Sequence, residues 1–258
     1  MNNRRKLIVA LGAAALTAPV GSFAQQQPPK VARIGLLEAA SVSISAKRLE
    51  ALIGGFRELG YVEGKNLVIE SRWAEGNYER LPGLAAELVQ VKVDVIVAAS
   101  PVAVRAAQQA TTTVPIVMVR TADPVGSGFV KSLAHPGGNI TGLSNINVEV
   151  MGKYLELLRA AVPKLSRVAV LVNPANPGHS EFLKRIQATE KANNVKVSST
   201  QASTESQIEA AFGALKREHA QALIVLPDSF FQAQVRRIVD FAAQQHLPTF
   251  FSIPQAVE

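Results

Sequence analysis

The sequence predicts an α/β protein of two Rossmann-like lobes, each built on a parallel sheet. Short apolar segments alternate with amphipathic ones, which is typical of parallel strands joined by helices that cover both faces of a sheet. The alternation starts a second time after Asn145, and the length of 258 residues exceeds what one core usually comprises. One larger doubly wound sheet is the alternative. The restart at the length expected of a second domain favours two lobes.

The first 24 residues have the pattern of a secretory signal peptide. Cationic residues at 4–6 precede an apolar run over 7–21, and the small residues Ser22 and Ala24 follow it. The apolar run is shorter than the about 20 residues that a membrane-spanning helix needs. We therefore expect cleavage before Gln25, a periplasmic location and no stable membrane insertion afterwards. Residues 25–30 are expected to form a polar linker.

The first series of elements predicts an N-terminal lobe over residues 31–145. Its apolar run VDVIVA is typical of a central parallel strand. The helix that follows begins with Ser100 as N-cap and Pro101 at the first helical position, where the missing N–H is tolerated. Gly60 is expected to end an earlier helix. In chain order, the predicted strands cover 31–37, 66–73, 93–98, 115–119 and 140–143, and the predicted helices cover 45–59, 78–90, 101–110 and 125–133.

The second series predicts a C-terminal lobe over residues 146–258. It begins with an amphipathic segment and then repeats the same alternation, with RVAVLV and ALIVL as its most apolar runs. These runs are expected to be the buried central strands. The predicted helices cover 148–161, 178–192, 204–218 and 229–245, and the predicted strands cover 167–172, 195–201, 222–226 and 249–251.

Composition argues against several classes of function. The formal net charge is +7, but the basic residues are scattered without interleaved aromatic residues, so we expect no nucleic-acid partner. The absence of cysteine excludes disulfides, thiol catalysis, cysteine zinc sites and a lipid anchor. The four histidines are far apart, and each is expected at the surface or in a loop, with no metal bound: His135, His179, His219 and His246.

Common enzyme motifs are also absent from the sequence. There is no GxxxxGK[ST] phosphate loop, no GxSxG elbow, and no GxGxxG after the first strand. We therefore expect no catalytic residues, no cofactor and a function other than catalysis. An exported Rossmann-class enzyme is the alternative, and it would require a catalytic pair assembled only by folding.

The candidate ligand site lies where the predicted strands end. In parallel α/β sheets, ligands bind at the carboxyl ends of the strands, and two lobes can place these ends on opposite sides of a cleft. Helix N-termini at Ser100 and Ser229 offer N–H groups that suit a carboxylate. The alternative is that these polar residues are only helix caps. The residues assigned to ligand binding are Glu38, Ser100, Pro101, Asp123, Asn173 and Asp228.

These six residues are expected to bind different parts of a solute. Ser100 and the backbone beside it are assigned to an anionic group. The side chains of the other polar residues are assigned to orienting polar groups, including an ammonium where the solute carries one: Glu38, Asp123, Asn173 and Asp228.

Several long segments carry a more specific pattern, among them GYVEGKNLVIESRWAEGNYERLPGLAAELV, VDVIVAASPVAV, QQATTTVPIVMV, ADPVGSGFVKSLAHPGGNITGLS and RVAVLVNPANP. Together they resemble the ABC-transporter substrate-binding proteins related to tryptophan and tyrosine binders. The resemblance implies a type I periplasmic-binding fold, with two lobes joined by hinge strands and a ligand in the cleft. It matches Ser100 and Pro101 to an exit loop that is more commonly Gly-Thr-Pro. Asp123 matches an Asp-Pro turn, and Asn173 matches the loop of the second lobe.

The resemblance also implies a function and an incomplete C-terminal lobe. Relatives of this kind capture a small solute, such as an amino acid, an aromatic acid or a related carboxylate, and deliver it to the membrane permease of an ABC importer. A ligand-sensing domain of a receptor or regulator is the alternative. The family pattern continues for several elements beyond the strand near Phe250. We therefore expect missing C-terminal elements, an exposed sheet edge and lower stability than in a full-length relative.

Overall fold

A parallel five-stranded sheet forms the first lobe, with strand order β2-β1-β3-β4-β5. The computed structural model describes residues 31–145 and 150–251. The strands of this sheet are β1 (Ala32–Glu38), β2 (Leu67–Trp73), β3 (Val95–Ala99), β4 (Ile116–Ala122) and β5 (Ile140–Asn145). Its helices are α1 (Val42–Glu58), α2 (Leu81–Gln90) and α3 (Pro101–Ala110), with a 3-10 turn at Tyr78–Arg80 before α2.

A second parallel sheet, of strand order β7-β6-β8-β9, forms the second lobe. Its strands are β6 (Arg167–Val172), β7 (Lys196–Gln201), β8 (Ala222–Val225) and β9 (Thr249–Phe251). The helices are α4 (Lys153–Ala161), α5 (His179–Gln187), α6 (Glu190–Asn193), α7 (Glu205–Arg217), α8 (Ser229–Ala233) and α9 (Val235–Gln244). Both sheets belong to one compact unit, so the two lobes are in contact.

Helices cover both faces of each sheet, which explains the apolar runs of the strands. In the first lobe, α2 and α3 pack on one face against residues such as Leu37 and Ile96, and α1 packs on the other face against Leu36. In the second lobe, α4 and α5 bury Val170, while α7 and α9 bury Leu171 on the opposite face. The predicted fold class of two α/β lobes is therefore confirmed, and the alternative of one large sheet is wrong.

The helix ends follow the local signals in the sequence. Ser100 caps α3 by accepting a hydrogen bond from the Ala103 amide at 3.3 Å, with Pro101 beginning the helix. Thr204 caps α7 in the same way, through the Gln207 amide at 3.3 Å. These caps place two helix N-termini directly after strand ends, at the carboxyl edges of their sheets.

Three of the predicted helices differ in the structure. Residues 125–133 form turns because Asp123 accepts a hydrogen bond from the Gly126 amide at 2.8 Å, a local bond that competes with a helix. The helix over 178–192 is two helices, and the Thr189 hydroxyl donates to the Ile186 carbonyl at the break. The helix over 229–245 is interrupted at Gln234, whose amide bonds two carbonyls of the preceding turn.

Some predictions fall on parts of the chain that the structure does not describe. The signal peptide over 1–24, the linker over 25–30 and the lobe boundary at 145/146 lie outside the described residues. The start of the helix over 148–161 lies there as well, and its described part is α4. Among the helices of residues 31–145 and 150–251, none has the length and apolar character needed to cross a membrane.

Candidate functional site

A pocket of about 420 Å³ lies between the two lobes, at the carboxyl edges of their sheets. The first lobe contributes the segment that follows β2, residues 75–79. The second lobe contributes Asn173 and Ala175 after β6, residues 203–205 after β7, and Phe230 of α8. Strand ends of both lobes therefore line one cavity, as ligand sites in parallel α/β sheets require.

Tyr78 joins the two lobes beside this pocket. Its hydroxyl oxygen accepts hydrogen bonds from two second-lobe amides, that of Ser229 at 3.1 Å and that of Phe230 at 3.2 Å. Its ring packs against the apolar cores of both lobes. Burial raises the pKa of Tyr78 well above its usual value, and the negative charge of Asp228 raises it further. The hydroxyl therefore stays neutral at physiological pH.

Gly76 allows the lobes to approach closely next to Tyr78. Its backbone has a φ of 81°, and its amide donates to the Ala39 carbonyl at 2.8 Å. A Cβ atom at this position would lie 3.4 Å from the Cβ of Ala233 and 3.8 Å from the Cα of Phe230, both in α8. Glycine is thus favoured here by its positive φ and by the contact with the opposite lobe.

Asp228 is the centre of a buried hydrogen-bond network at the end of β8. Its carboxylate accepts from the side-chain amides of Asn173 at 3.2 Å and Asn176 at 2.9 Å. It also accepts from the backbone amides of Phe230 at 3.0 Å and Phe231 at 3.3 Å. Asp228 itself is therefore the N-cap of α8, and this helix begins at Ser229, as the sequence predicts. The network therefore fixes the segment that follows β6 relative to the segment that follows β8.

His179 lies inside this network, so the prediction of a surface or loop position is wrong for this residue. It is buried, and its Nδ1 atom accepts a hydrogen bond from the backbone amide of Asn173 at 2.8 Å. The proton must then be on Nε2, which lies 3.2 Å from the Pro227 carbonyl oxygen and 3.7 Å from an Asp228 oxygen. Burial lowers the pKa of His179, against the opposing effect of Asp228. The other three histidines are exposed, as predicted.

The lowered pKa of His179 predicts a loss of stability in acid. Because the folded state binds the proton less well than the unfolded chain, this contribution is complete above the ordinary imidazole pKa of about 6.5 and decreases below it. We expect the free energy of unfolding to fall by up to about 1.4 kcal/mol per pH unit until the folded-state pKa is reached. Urea denaturation between pH 7.5 and 5 measures this slope.

His179→Gln provides the control for this pH dependence. Its amide can accept from the Asn173 backbone and donate to the Pro227 carbonyl, as the neutral imidazole does. Glutamine does not titrate, so the stability of the variant should depend less on pH in this range. Equal slopes for the variant and the parent protein would show that another group is responsible.

The predicted site residues Ser100 and Pro101 lie at the end of β3 and begin α3. The Ser100 side chain is buried and points to the Ala103 amide of its own helix, so its hydroxyl acts as a cap in this structure. Its backbone has a φ of 153° and a ψ of 159°, a region that residues other than glycine rarely adopt. Neither residue is among those that line the interlobe pocket.

Glu38 and Asp123 occupy separate places at the edge of the first sheet. The buried Glu38 carboxylate lies 3.8 Å from Arg48 and 4.0 Å from Arg120. It lines a smaller apolar pocket of about 210 Å³ between α1 and the sheet. Asp123 bonds within its own turn, at Gly126. Of the six predicted residues, only Asn173 lines the interlobe pocket. Its side-chain amide donates a hydrogen bond to Asp228, which does not line the pocket itself.

The exits of two edge strands, β2 and β7, line the pocket but are not among the sites predicted from the sequence. These exits supply Glu75, Tyr78 and Glu79 in the first lobe and Ser203 and Thr204 in the second. Both strands had been predicted, so the rule that ligands bind at strand ends could have included their exits as well. Within the described residues, no group of three or more histidine, aspartate or glutamate side chains is arranged to hold a metal ion.

The chain belongs to the ABC transporter substrate-binding protein family, whose family model matches residues 31–258. A tyrosine-binding protein of Clostridioides difficile (strain R20291) is 28% identical over 224 residues, which cover 86% of this chain and 64% of that protein. The chain thus spans about 64% of the length of the curated relative that it matches.

Solved structures have the same fold. A conserved domain protein of Vibrio cholerae O1 biovar El Tor superposes with a TM-score of 0.80 and 26% identity, over 88% of this chain and 76% of that one. The ABC domain of Streptococcus pneumoniae in complex with L-Trp superposes with a TM-score of 0.79 and 22% identity, over 88% of this chain and 75% of that one. The resemblance to substrate-binding proteins and the type I periplasmic-binding fold are therefore confirmed.

Proposed function

We propose that this chain is the solute-binding component of an ABC importer, located in the periplasm and without catalytic activity. It captures a small solute between its lobes and presents it to a membrane permease. The observation that carries this proposal is the pocket of about 420 Å³ lined by strand exits of both lobes. Membership in the substrate-binding family supports it.

Capture works through the closure of the two lobes on the solute. A solute in the pocket touches residues 75–79 on one side and Asn173 and residues 203–205 on the other. Opening the lobes removes one of these two sets of contacts. The solute therefore binds the closed form more tightly, and this difference in affinity is what drives closure.

The proposed solute is an amino acid, an aromatic acid or a related small carboxylate. Glu75 and Glu79 place carboxylates on the first-lobe side, which suits an ammonium group. Thr204 caps the 13-residue helix α7 on the opposite side, where the helix N-terminus suits a carboxylate. The tyrosine-binding relative and the L-Trp complex support the choice of amino acids for the first tests.

The strand exits predicted from sequence belong to the same proposal. Asn173 lines the pocket, and Asp228 holds its side chain in place through a hydrogen bond of 3.2 Å. Ser100, Pro101 and Asp123 lie at the same carboxyl edge of the first sheet as residues 75–79. We propose that they extend the ligand-facing surface of that lobe. Glu38, at the end of β1, is proposed to support this surface through its ion pairs.

A thermal-shift screen tests the proposed function directly. The panel contains L-tyrosine, L-tryptophan, other amino acids, benzoate and related carboxylates, and matched compounds that lack the carboxylate. A solute at about 100 times its dissociation constant adds about 2.7 kcal/mol to stability, which raises the melting temperature by about 5–10 °C for a chain of this size. The compound should be recovered unchanged. Conversion of the compound, or no shift across the panel despite a sharp melt, would contradict the proposal.

A further inference from the structure

We infer that Tyr78 is the residue that holds the two lobes closed, by placing its hydroxyl oxygen on the first two amides of α8. The inference rests on the proposed function, in which closure captures the solute. It assigns to Tyr78 a positioning role that does not depend on any contact with the solute. The hydroxyl belongs to the first lobe, and the amides that it accepts belong to the second.

The hydrogen bonds of Tyr78 join a side chain of the first lobe to backbone amides of the second lobe. The Ser229 amide donates to the Tyr78 oxygen at 3.1 Å, and the Phe230 amide divides its proton between Tyr78 at 3.2 Å and Asp228 at 3.0 Å. Opening would return the Tyr78 hydroxyl and the Ser229 amide to water. The bonds therefore contribute to the free-energy difference between closed and open forms rather than to the fold of either lobe.

The apolar contacts of the Tyr78 ring also favour the closed form. The Tyr78 ring packs against the core that contains Leu81 and Val102 in the first lobe, and against the core that contains Phe230 and Phe231 in the second. Opening the lobes would expose one side of the ring to water. Burial of the ring and pairing of its hydroxyl therefore both favour the closed form.

The hydrogen-bond network around Asp228 holds in place the α8 backbone whose amides bond Tyr78. Asp228 bonds the amides of Phe230 and Phe231, and Asn173 and Asn176 bond Asp228 in turn. The first turn of α8 is thus held by contacts within its own lobe, which do not depend on the first lobe. A preorganised partner reduces the entropy that closure must lose, so a single hydroxyl can have a measurable effect.

The two hydrogen bonds that Tyr78 accepts from α8 form the inferred latch, which contributes to the closed fraction of the solute-free protein. For a solute that requires the closed form, the apparent dissociation constant equals the intrinsic dissociation constant divided by the closed fraction. Loss of the Tyr78 hydroxyl should lower the ratio of closed to open molecules by about tenfold, the effect expected of one to two hydrogen bonds.

Tyr78→Phe tests the latch in the solute-free protein. The chain has no cysteine, so Lys65→Cys in the first lobe and Lys216→Cys in the second provide two unique sites for spin labels. Both lysines are exposed. Pulsed electron paramagnetic resonance then measures the distribution of distances between the lobes. The matched control is Tyr61→Phe, which makes the same chemical change at an exposed tyrosine of the first lobe.

The expected result is a larger population of long distances in Tyr78→Phe, with a larger shift in Tyr78→Ala, and a parent-like distribution in Tyr61→Phe. Circular dichroism should show unchanged secondary structure in all three. A parent-like distribution in both Tyr78 variants overturns the latch, as does a parent protein that is already fully open. Because no solute is present, this result is independent of the thermal-shift screen, and either proposal can fail without the other.

Discussion

Asp228→Ala is expected to lower the free energy of unfolding by about 3–5 kcal/mol, as loss of one partner from a buried charged network typically does. The carboxylate accepts from four donors, and the substitution removes this acceptor from all of them, although the Phe230 amide keeps its bond to the Tyr78 hydroxyl. The α8 N-cap disappears with it. Equilibrium urea denaturation, followed by circular dichroism, measures the change.

Two further variants separate the effects of charge and hydrogen bonding at Asp228. Asp228→Asn keeps one acceptor oxygen for the α8 amides but turns an N–H group toward the Asn176 amide, so its loss should be intermediate. Asp240→Ala changes an exposed aspartate of α9 and should shift stability by no more than about 0.5 kcal/mol. Similar stabilities for Asp228→Ala and Asp240→Ala would mean that the network does not stabilise the lobe.

Local chemistry made much of this fold predictable from sequence. The run VDVIVA followed by Ser100 and Pro101 specifies a buried strand, a cap and a helix start within a few residues, and all three are present. Gly60 similarly lies just beyond the end of α1, with a φ of 83°. Such signals depend on neighbours in sequence, so they survive in the folded protein.

Contacts between distant residues were the part that sequence could not supply. His179 reaches Asp228 across 49 residues, and nothing near it in the sequence distinguishes it from the three exposed histidines. The contact of Tyr78 with Ser229 spans 151 residues. The same limitation explains why only Asn173 of the six predicted site residues lines the interlobe pocket. The sequence identifies polar residues at strand exits but does not show which exits lie opposite each other in the two lobes.

The helix predicted over 125–133 failed for a different physical reason. Its apolar spacing fits a helix, but Asp123 offers the backbone a competing local hydrogen bond at Gly126, and Gly128 has a φ of 70°. Asx turns and left-handed glycines both disfavour helix continuation. The Asp-Pro turn of the family resemblance thus decides the local structure in preference to the apolar pattern.

Gly76→Leu is expected to weaken binding of any solute held between the lobes by about 100-fold, which corresponds to about 2.7 kcal/mol against closure. A Cβ atom at this position is already in van der Waals contact with α8, 3.4 Å from the Ala233 Cβ atom and 3.8 Å from the Phe230 Cα atom. The three further carbon atoms of leucine therefore need additional room, which we expect them to gain by holding the lobes further apart. Isothermal titration calorimetry with L-tyrosine and L-tryptophan, and with benzoate, measures the affinities of the variant and the parent protein.

Gly64→Leu is the matched control, because it introduces the same side chain at nearly the same backbone angle. Gly64 has a φ of 80° and Gly76 a φ of 81°, so the conformational strain of about 1–2 kcal/mol is common to both variants. A Cβ atom at Gly64 meets no neighbour within 4 Å, whereas one at Gly76 meets the opposite lobe. The two variants should therefore lose similar stability, and affinity should fall in Gly76→Leu alone. Parent-like affinity in Gly76→Leu would mean that the solute binds without the close approach of the lobes at α8.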